Sequence, residues 1–335
     1  METLIRSFLL DHKWVRSTPK ISFLAAGEYN QNFLVQCGNK RLVFRINHGS
    51  QLGLDDQIGY EFMVLQCVAP SGVTPRPVRV HQDHRPFGGG VMLMQHLPGE
   101  ALVYERDLER AAGIFARIHA LPPCPQLLVQ EDPIAAIASE SLTLINRYQG
   151  HALTRQRARL LDYHGRIVRL GEDNRALFAA DRLCVVNTEV NSGNFLISPE
   201  EAFLVDWEKA VVSSRHQDLG HFLAPTTTLW KSETLFTPRQ KNAFLQAYHR
   251  QLPEPPALEE LRHLSRIMEQ VIILRGLSWC FMAHHEYTHA AKSLTDAGTR
   301  SKIELYMHDM DRILPSLPCS GLKARGLYDE RLVIK

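Results

Sequence analysis

Residues 185–210, VVNTEVNSGNFLISPEEAFLVDWEKA, interrupt a second half of the chain whose apolar residues otherwise recur at helical spacing. RLCVVN, NFLIS and AFLVDW are short apolar runs, with a polar loop between the first two. A strand end therefore delivers a loop holding Glu189 and Asn194, and a hairpin then delivers Asp206 and Glu208. Asn194 and Asp206 offer oxygen ligands at the ends of adjacent short strands, which suits Mg²⁺ with substrate phosphates completing its shell. Glu189 starts the same loop, where a carboxylate can accept a proton from an incoming hydroxyl. The plainer alternative is a polar turn between two buried strands, closed by an Asx turn at Asn194.

The first hundred residues have a different rhythm. ISFLAA, NFLVQC and RLVFRI are strand-like, and residues 38–40 (GNK) fit a tight hairpin. Residues 55–68 change period, with Ile58, Phe62 and Leu65 on one helical face. APSGVTPRPVRV is a loop leading into a strand, and GGGVMLMQHL is a strand ended by Leu97-Pro98-Gly99. From about residue 105 helices dominate: Leu108, Ala112, Phe115 and Ile118 form a stripe, and residues 133–180 read as two or three more helices. The layout predicts an α+β chain. Residues 1–98 form a small antiparallel β-sheet region with one helix, and residues 99–335 a larger, mainly helical region.

Three weaker signals lie upstream. Gly27 and Asn30 sit in a turn between two strands, whose backbone can lie over phosphates or simply close a hairpin. Arg45 on a strand and Glu61 on the next helix repeat the arrangement with which protein kinases hold α- and β-phosphates, unless they are unrelated surface charges. Gln95 and Leu97 end a strand that reads as a hinge, where backbone groups can meet adenine.

Composition narrows the function. A net charge of +2 gives no strong bias toward nucleic acid or anionic membrane. No apolar run reaches membrane-spanning length, and VIILRGLSW, with Arg275 in its middle, reads as a buried helix. METLIRSFLLDHKW does not read as a signal peptide. Six scattered cysteines without a C-x-x-C pair read as reduced thiols of a cytoplasmic protein. Sixteen histidines call for a metal site to be weighed. His285-Glu286-Tyr287-Thr288-His289 matches H-E-x-x-H, with Asp309 or Glu304 as a third zinc ligand. A zinc hydrolase needs a strand scaffold upstream, and the pattern above already occupies that part of the chain.

In this order the motifs resemble the aminoglycoside phosphotransferase and choline kinase-like family, over roughly residues 22–224. The family's H-G-D-x-x-x-x-N segment reads here Asn187-Thr188-Glu189-x-x-x-x-Asn194, and its I-D-[WFY]-E segment reads Val205-Asp206-Trp207-Glu208. Its later D-L-A reads Asp218-Leu219-Gly220, and Phe115-Ala116-Arg117-Ile118-His119 matches its L-A-x-x-H. The resemblance implies a bilobal protein kinase-like fold with ATP and Mg²⁺ between a nucleotide-binding lobe and a catalytic and acceptor lobe. It implies that Arg45 and the turn at Gly27 and Asn30 hold phosphates, with Glu61 orienting Arg45. Asn194 and Asp206 would bind the metal, Glu208 would support it, Glu189 would be the base, and Asp218 would brace the loop. The aromatic residues Trp230, Trp279, Phe281 and Tyr287 fall where the family builds its acceptor pocket, or else serve helix packing.

The departures are Glu189 for the usual Asp, Asn187 for the usual His and Arg45 for the usual Lys. The leading expectation is an ATP-dependent kinase acting on a hydroxyl of a small molecule (an aminoglycoside, choline, an amino-alcohol or a sugar-like compound). The alternatives are a nucleotide-binding pseudokinase and, remotely, the zinc hydrolase.

Overall fold

In the computed structural model, residues 1–289 and 297–314 are described. The chain begins with a helix, α1 (Glu2–Asp11), whose Ile5, Phe8 and Leu9 are buried at i, i+3 and i+4 spacing. Three strands follow: β1 (Lys20–Ala26), β2 (Asn30–Cys37) and β3 (Lys40–Asn47). β2 and β3 join through a two-residue turn in which Gly38 has φ +56°, the left-handed region that favours glycine. Helix α2 (Gln57–Val68) starts at Asp56, whose carboxylate accepts the Gly59 N–H at 2.9 Å. β4 (Pro77–His81) and β5 (Gly90–Gln95) complete an antiparallel sheet of order β1-β2-β3-β5-β4.

The two faces of this sheet do different work. Phe44, Ile46, Val91 and Leu93 pack with Ile5, Phe8 and Leu9 of α1. Val43, Met92 and Met94 pack with Ile58, Val64 and Leu65 of α2 in a core that continues into the helical region. Alternation along β3 sends Arg45 to the α2 face with Val43, and a one-residue slip would turn it away.

After β5 the chain passes Gly99, where an added Cβ would stand 2.7 Å from the Ile197 amide nitrogen. The helical region contains α3 (Tyr104–His119), α4 (Pro133–Asn146) and α5 (Thr154–Ala180). Next come two separate antiparallel hairpins' worth of strand: β6 (Leu183–Val186) pairs with β9 (Val211–Ser214), and β7 (Phe195–Ile197) with β8 (Ala202–Leu204). The single hairpin expected from sequence is therefore a nested pair, because VVSS supplies a fourth strand. Helices α6 (His216–Leu223), α7 (Pro225–Lys231), α8 (Pro238–Gln251), α9 (Leu258–Thr288), α10 (Ala297–His308) and α11 (Met310–Ile313) complete the described chain. Arg275 lies within α9, as the reading of VIILRGLSW as a buried helix requires.

One expectation is corrected. Cys67 at the end of α2 and Cys124 after α3 form a disulfide, so the cysteines are not all reduced. Their sequence separation of 57 residues hides a proximity that the shared core of α2 and the segment after α3 creates. Cys37, Cys184 and Cys280 are free thiols, and Cys319 lies outside the described residues.

His216 at the start of α6 is 1% exposed, with Nδ1 2.9 Å from Ser265 Oγ and Nε2 3.6 Å from Asp181 Oδ2. Burial, then the charge of Arg215, holds its pKa well below the ordinary value. The unfolded chain protonates this imidazole near pH 6.5 while the folded chain does not, so acid favours unfolding. Urea midpoints should fall as pH drops below about 6.5, with one such histidine contributing up to about 1.4 kcal/mol per pH unit. His216→Gln should make that fall shallower; an unchanged slope would remove His216 as its source.

Candidate active site

The site is assembled from the inner face of the sheet and the nested hairpins. On β3, Arg45 Nε donates to Asn32 Oδ1 of the neighbouring strand at 3.0 Å, which aims the guanidinium. Its Nη1 reaches Glu61 Oε1 of α2 at 2.5 Å and Asp206 Oδ1 at 3.2 Å. Arg45 and Glu61 are both buried. Burial opposes the charge on Arg45, but Glu61 and Asp206 outweigh it and push its pKa up, so the cation persists. Glu61 is pushed upward by burial, against the pull of Arg45.

β6 delivers the loop that carries Glu189. Asp218 of α6 accepts the Asn187 N–H and the Thr188 N–H, each at 2.8 Å, and its Oδ2 lies 3.3 Å from His119 Nε2. Thr188 and Asp206 have φ of +68° and +65°, a region costly for residues with a Cβ. Asn187 links Asp206 to the Glu189 loop: its Nδ2 donates to Asp206 O at 2.8 Å and its Oδ1 accepts the Glu189 N–H at 3.0 Å. Asn194 Nδ2 donates to Glu189 O at 2.6 Å. The side chain of Glu189 pairs with Lys209, Nζ to Oε1 3.2 Å.

Glu189, Asp206 and Glu208 each bring a carboxylate oxygen within 4.8 Å of the others. This is the one cluster of three or more such ligand side chains among the described residues. Burial, then repulsion from Asp206, Glu61 and Glu189, lifts the pKa of Glu208 to about 7. Asn30 Nδ2 donates to Glu208 Oε2, Gln51 Nε2 donates to its Oε1 at 3.2 Å, and Gln57 Nε2 donates to its carbonyl at 2.7 Å. Thus the sheet, α2 and the second hairpin all converge on Asp206 and Glu208.

The remaining expected residues stand as follows. Gly27 donates its N–H to Asn30 O at 2.8 Å, closing the β1–β2 turn, while the buried Asn30 side chain reaches inward to Glu208. Gln95 ends β5, with its N–H on Arg76 O at 2.9 Å, and Leu97 is buried where the chain leaves the sheet. Lys209 and Gln51 were not anticipated. Lys209 could have been noticed as the charge directly after Val205-Asp206-Trp207-Glu208.

His285 and His289 lie outside this centre. Their rings stack at 4.1 Å, and His285 also stacks on Tyr148 at 4.2 Å. Glu286 accepts from Tyr148 OH at 2.7 Å, Glu304 pairs with Arg300 at 2.8 Å, and Asp309 pairs with Arg312 at 3.3 Å. Phe281 is buried against His151, and Trp230 meets Trp279 edge to face, so these aromatic residues serve packing.

A family model described as the phosphotransferase enzyme family matches residues 20–262. The chain belongs to this family. It is accordingly an enzyme of the phosphotransferase class. Among solved structures it is similar to a choline/ethanolamine kinase family protein from Mesorhizobium loti, at 18% identity and TM-score 0.64 over 94% of this chain and 96% of that one. It is similar to a choline kinase from Streptococcus pneumoniae at 16% identity and TM-score 0.59, covering 93% of this chain and 99% of that one. A spectinomycin phosphotransferase solved with ADP and spectinomycin matches at 13% identity and TM-score 0.53, covering 92% of this chain and 98% of that one. These likenesses establish the bilobal kinase-like fold that the motif order implied. A comparison with curated proteins finds no match.

Asp218→Ala tests the brace beneath the loop. Two buried N–H groups would lose their acceptor, so the variant should lose at least about 2 kcal/mol of stability in urea titrations. A variant as stable as the parent would show that Asp218 does not hold this loop.

Proposed function

We propose that the protein transfers the γ-phosphate of ATP to a hydroxyl group of a small molecule. The observation that carries this reading is the Arg45–Glu61 pair, which reaches Asp206 beside the carboxylates of Glu189 and Glu208. Arg45 grips nucleotide phosphates and Glu61 fixes its orientation. The backbone turn at Gly27 covers the phosphates, and the backbone at Gln95 and Leu97 meets the adenine. Residues 1–98 form the nucleotide-binding lobe and residues 99–335 the catalytic and acceptor lobe, with Gly99 at the crossing. One structural neighbour was solved with ADP and another with AMP-PNP, which supports nucleotide use.

The donor set fits magnesium. It is all oxygen, and Glu208, raised by burial and then by repulsion from its neighbouring carboxylates, stands in a cluster whose repulsion a divalent cation would relieve. Asp206 and Glu208 hold the ion, and Asn194, anchored through Nδ2, adds its amide oxygen. When bound, the ion would neutralise charge on the phosphates. Glu189 takes the proton of the acceptor hydroxyl as its oxygen bonds to the γ-phosphorus; the bond to the β–γ bridging oxygen breaks and ADP leaves.

The pseudokinase reading is favoured by one observation: Lys209 occupies an oxygen of Glu189. Against it, Asn187 still links Asp206 to Glu189. The acceptor is a small molecule, with neither nucleic acid nor membrane as partner, and among the described residues no helix is long and apolar enough to cross a membrane. We place the reaction in the cytoplasm, where ATP is available.

Titration calorimetry should show ATP binding that requires magnesium, and Asp206→Ala should abolish the metal requirement. Absence of ATP binding by folded protein with magnesium present would sink the kinase reading. Glu189→Gln should retain ATP affinity and cut turnover by about a hundredfold or more, the scale of general-base loss. Equal turnover in variant and parent would remove Glu189 from the mechanism, and an absence of turnover with every acceptor would leave the pseudokinase.

A further inference from the structure

The kinase reading gives no acceptor-binding role to two largely buried cations, Lys209 and Arg275, that lie by the loop of Glu189. Lys209 Nζ is 3.2 Å from Glu189 Oε1, and its side chain is only 11% exposed. Arg275, midway along α9, places Nη1 3.5 Å from Thr188 O and Nε 3.5 Å from Glu140 Oε2 of α4. The order of contacts runs from Arg45 through Asp206 to Glu189, and on to Lys209; Arg275 joins from the helical side. Nucleotide phosphates belong at the Arg45 end. The opposite end, beyond Glu189, is where an acceptor must present its hydroxyl.

Packing alone does not account for these charges. Arg275 interrupts the apolar run VIILRGLSW and is 14% exposed, yet its carboxylate partner Glu140 is 49% exposed. A half-exposed partner at that distance offsets little of the cost of desolvating a guanidinium. Among the described residues Lys209 likewise has one ion-pair partner, Glu189. The groups facing the pair are Glu189, Glu140 and His221, with Asp206 and Glu208 on the metal side. His221 registers the resulting field: burial, then Arg275, then Lys209, pushes its pKa down to about 3, although Glu189 and Glu140 are present. Lys209 has three N–H groups and Arg275 five, and the contacts above, all with described residues, engage one and two of them.

A quaternary ammonium or a polyamine brought to Glu189 would stand beside two cations. We propose that the acceptor instead carries an anionic group, a carboxylate or a phosphate, which Lys209 and Arg275 bind while the neighbouring hydroxyl faces Glu189. This inference rests on the kinase reading and assigns Arg275 as a specificity-determining residue outside the catalytic carboxylates. It separates this chain from an enzyme that selects a cationic acceptor, even where the fold is shared.

A matched set of three-carbon hydroxyl compounds tests it: glycerol, glycerate, glycerol phosphate and aminopropanediol, with choline as a further cation. Each is added to the MgADP-loaded protein for thermal stability and to the MgATP-loaded protein for ATP consumption. Glycerate or glycerol phosphate should stabilise the protein, and the better of the two should exceed glycerol and both cations in kcat/KM by about tenfold or more. The difference between these two tells carboxylate from phosphate. Arg275→Met should raise the KM of that anionic acceptor about tenfold while leaving the KM for MgATP within about twofold, and Arg275→Lys should recover part of the loss. Preference for aminopropanediol or choline would overturn the proposal. So would an unchanged anion KM in folded Arg275→Met, or MgATP binding with no response to either anion. Failure to bind MgATP at all would instead defeat the kinase reading on which it stands.

Discussion

The buried guanidinium of Arg45 is the constraint around which the rest of the site is arranged. It is held by Asn32 from β2, Glu61 from α2 and Asp206 from the second hairpin. Removing an arginine from water costs several kcal/mol, and one carboxylate seldom recovers that. Two carboxylates and a side-chain amide here share the task, so each partner becomes hard to move without stranding a charge. The same geometry explains the register of the sheet. β3 must present Arg45 on the face of Val43, because the opposite face is filled by α1 through Phe8 against Phe44. Stability and function therefore ask for the same strand alternation.

A second brace works from below. Thr188 and Asp206 sit in the left-handed region, at a cost of order 1–3 kcal/mol each for residues with a Cβ. Asp218 offsets the first by accepting two backbone N–H groups, and Asn187 offsets the second by donating to the Asp206 carbonyl. Tyr60 OH donates to Ala210 O at 2.7 Å and accepts the Leu128 N–H at 3.2 Å, tying α2 to the end of the hairpin and to the segment after α3. The Cys67–Cys124 disulfide joins the same two regions covalently. Helix α2, with Glu61, is thereby fixed to the helical region at two positions along its length, Tyr60 and Cys67.

Much of this was legible because the informative residues are charged or amide side chains in a fixed order. Arg45, Glu61, Glu189, Asn194, Asp206 and Asp218 could each be named from local context, and the fold brings them within one site. What was illegible depended on tertiary packing. The α1 helix shows Ile5, Phe8 and Leu9 at helical spacing, but a stretch weighed only as a targeting segment was not weighed as a helix. Strand β9, VVSS, is too short to announce itself and is defined by its pairing with β6. The Asn30 side chain reads as a turn residue from sequence, and only the approach of Glu208 across a separation of 178 residues shows it to be an interior donor. Lys209 stands in plain view after the Asp206 motif, but its pairing with Glu189 is set by the return of the hairpin and was illegible for the same reason.

The departures from the family pattern make more sense jointly than singly. Glutamate at position 189 reaches one methylene farther than aspartate, so its carboxylate needs an anchor of its own. Lys209 supplies that anchor, and Asn187 fixes the backbone from which the longer side chain starts. The amide at position 187 donates to Asp206 O and accepts from Glu189 N at once, and unlike an imidazole it does so without being able to take up a proton. A neutral residue there also adds no further positive charge beside Lys209 and Arg275. Glu189, Asn187 and Lys209 thus form a coupled set, in which a change at any one alters the geometry or the field of the other two.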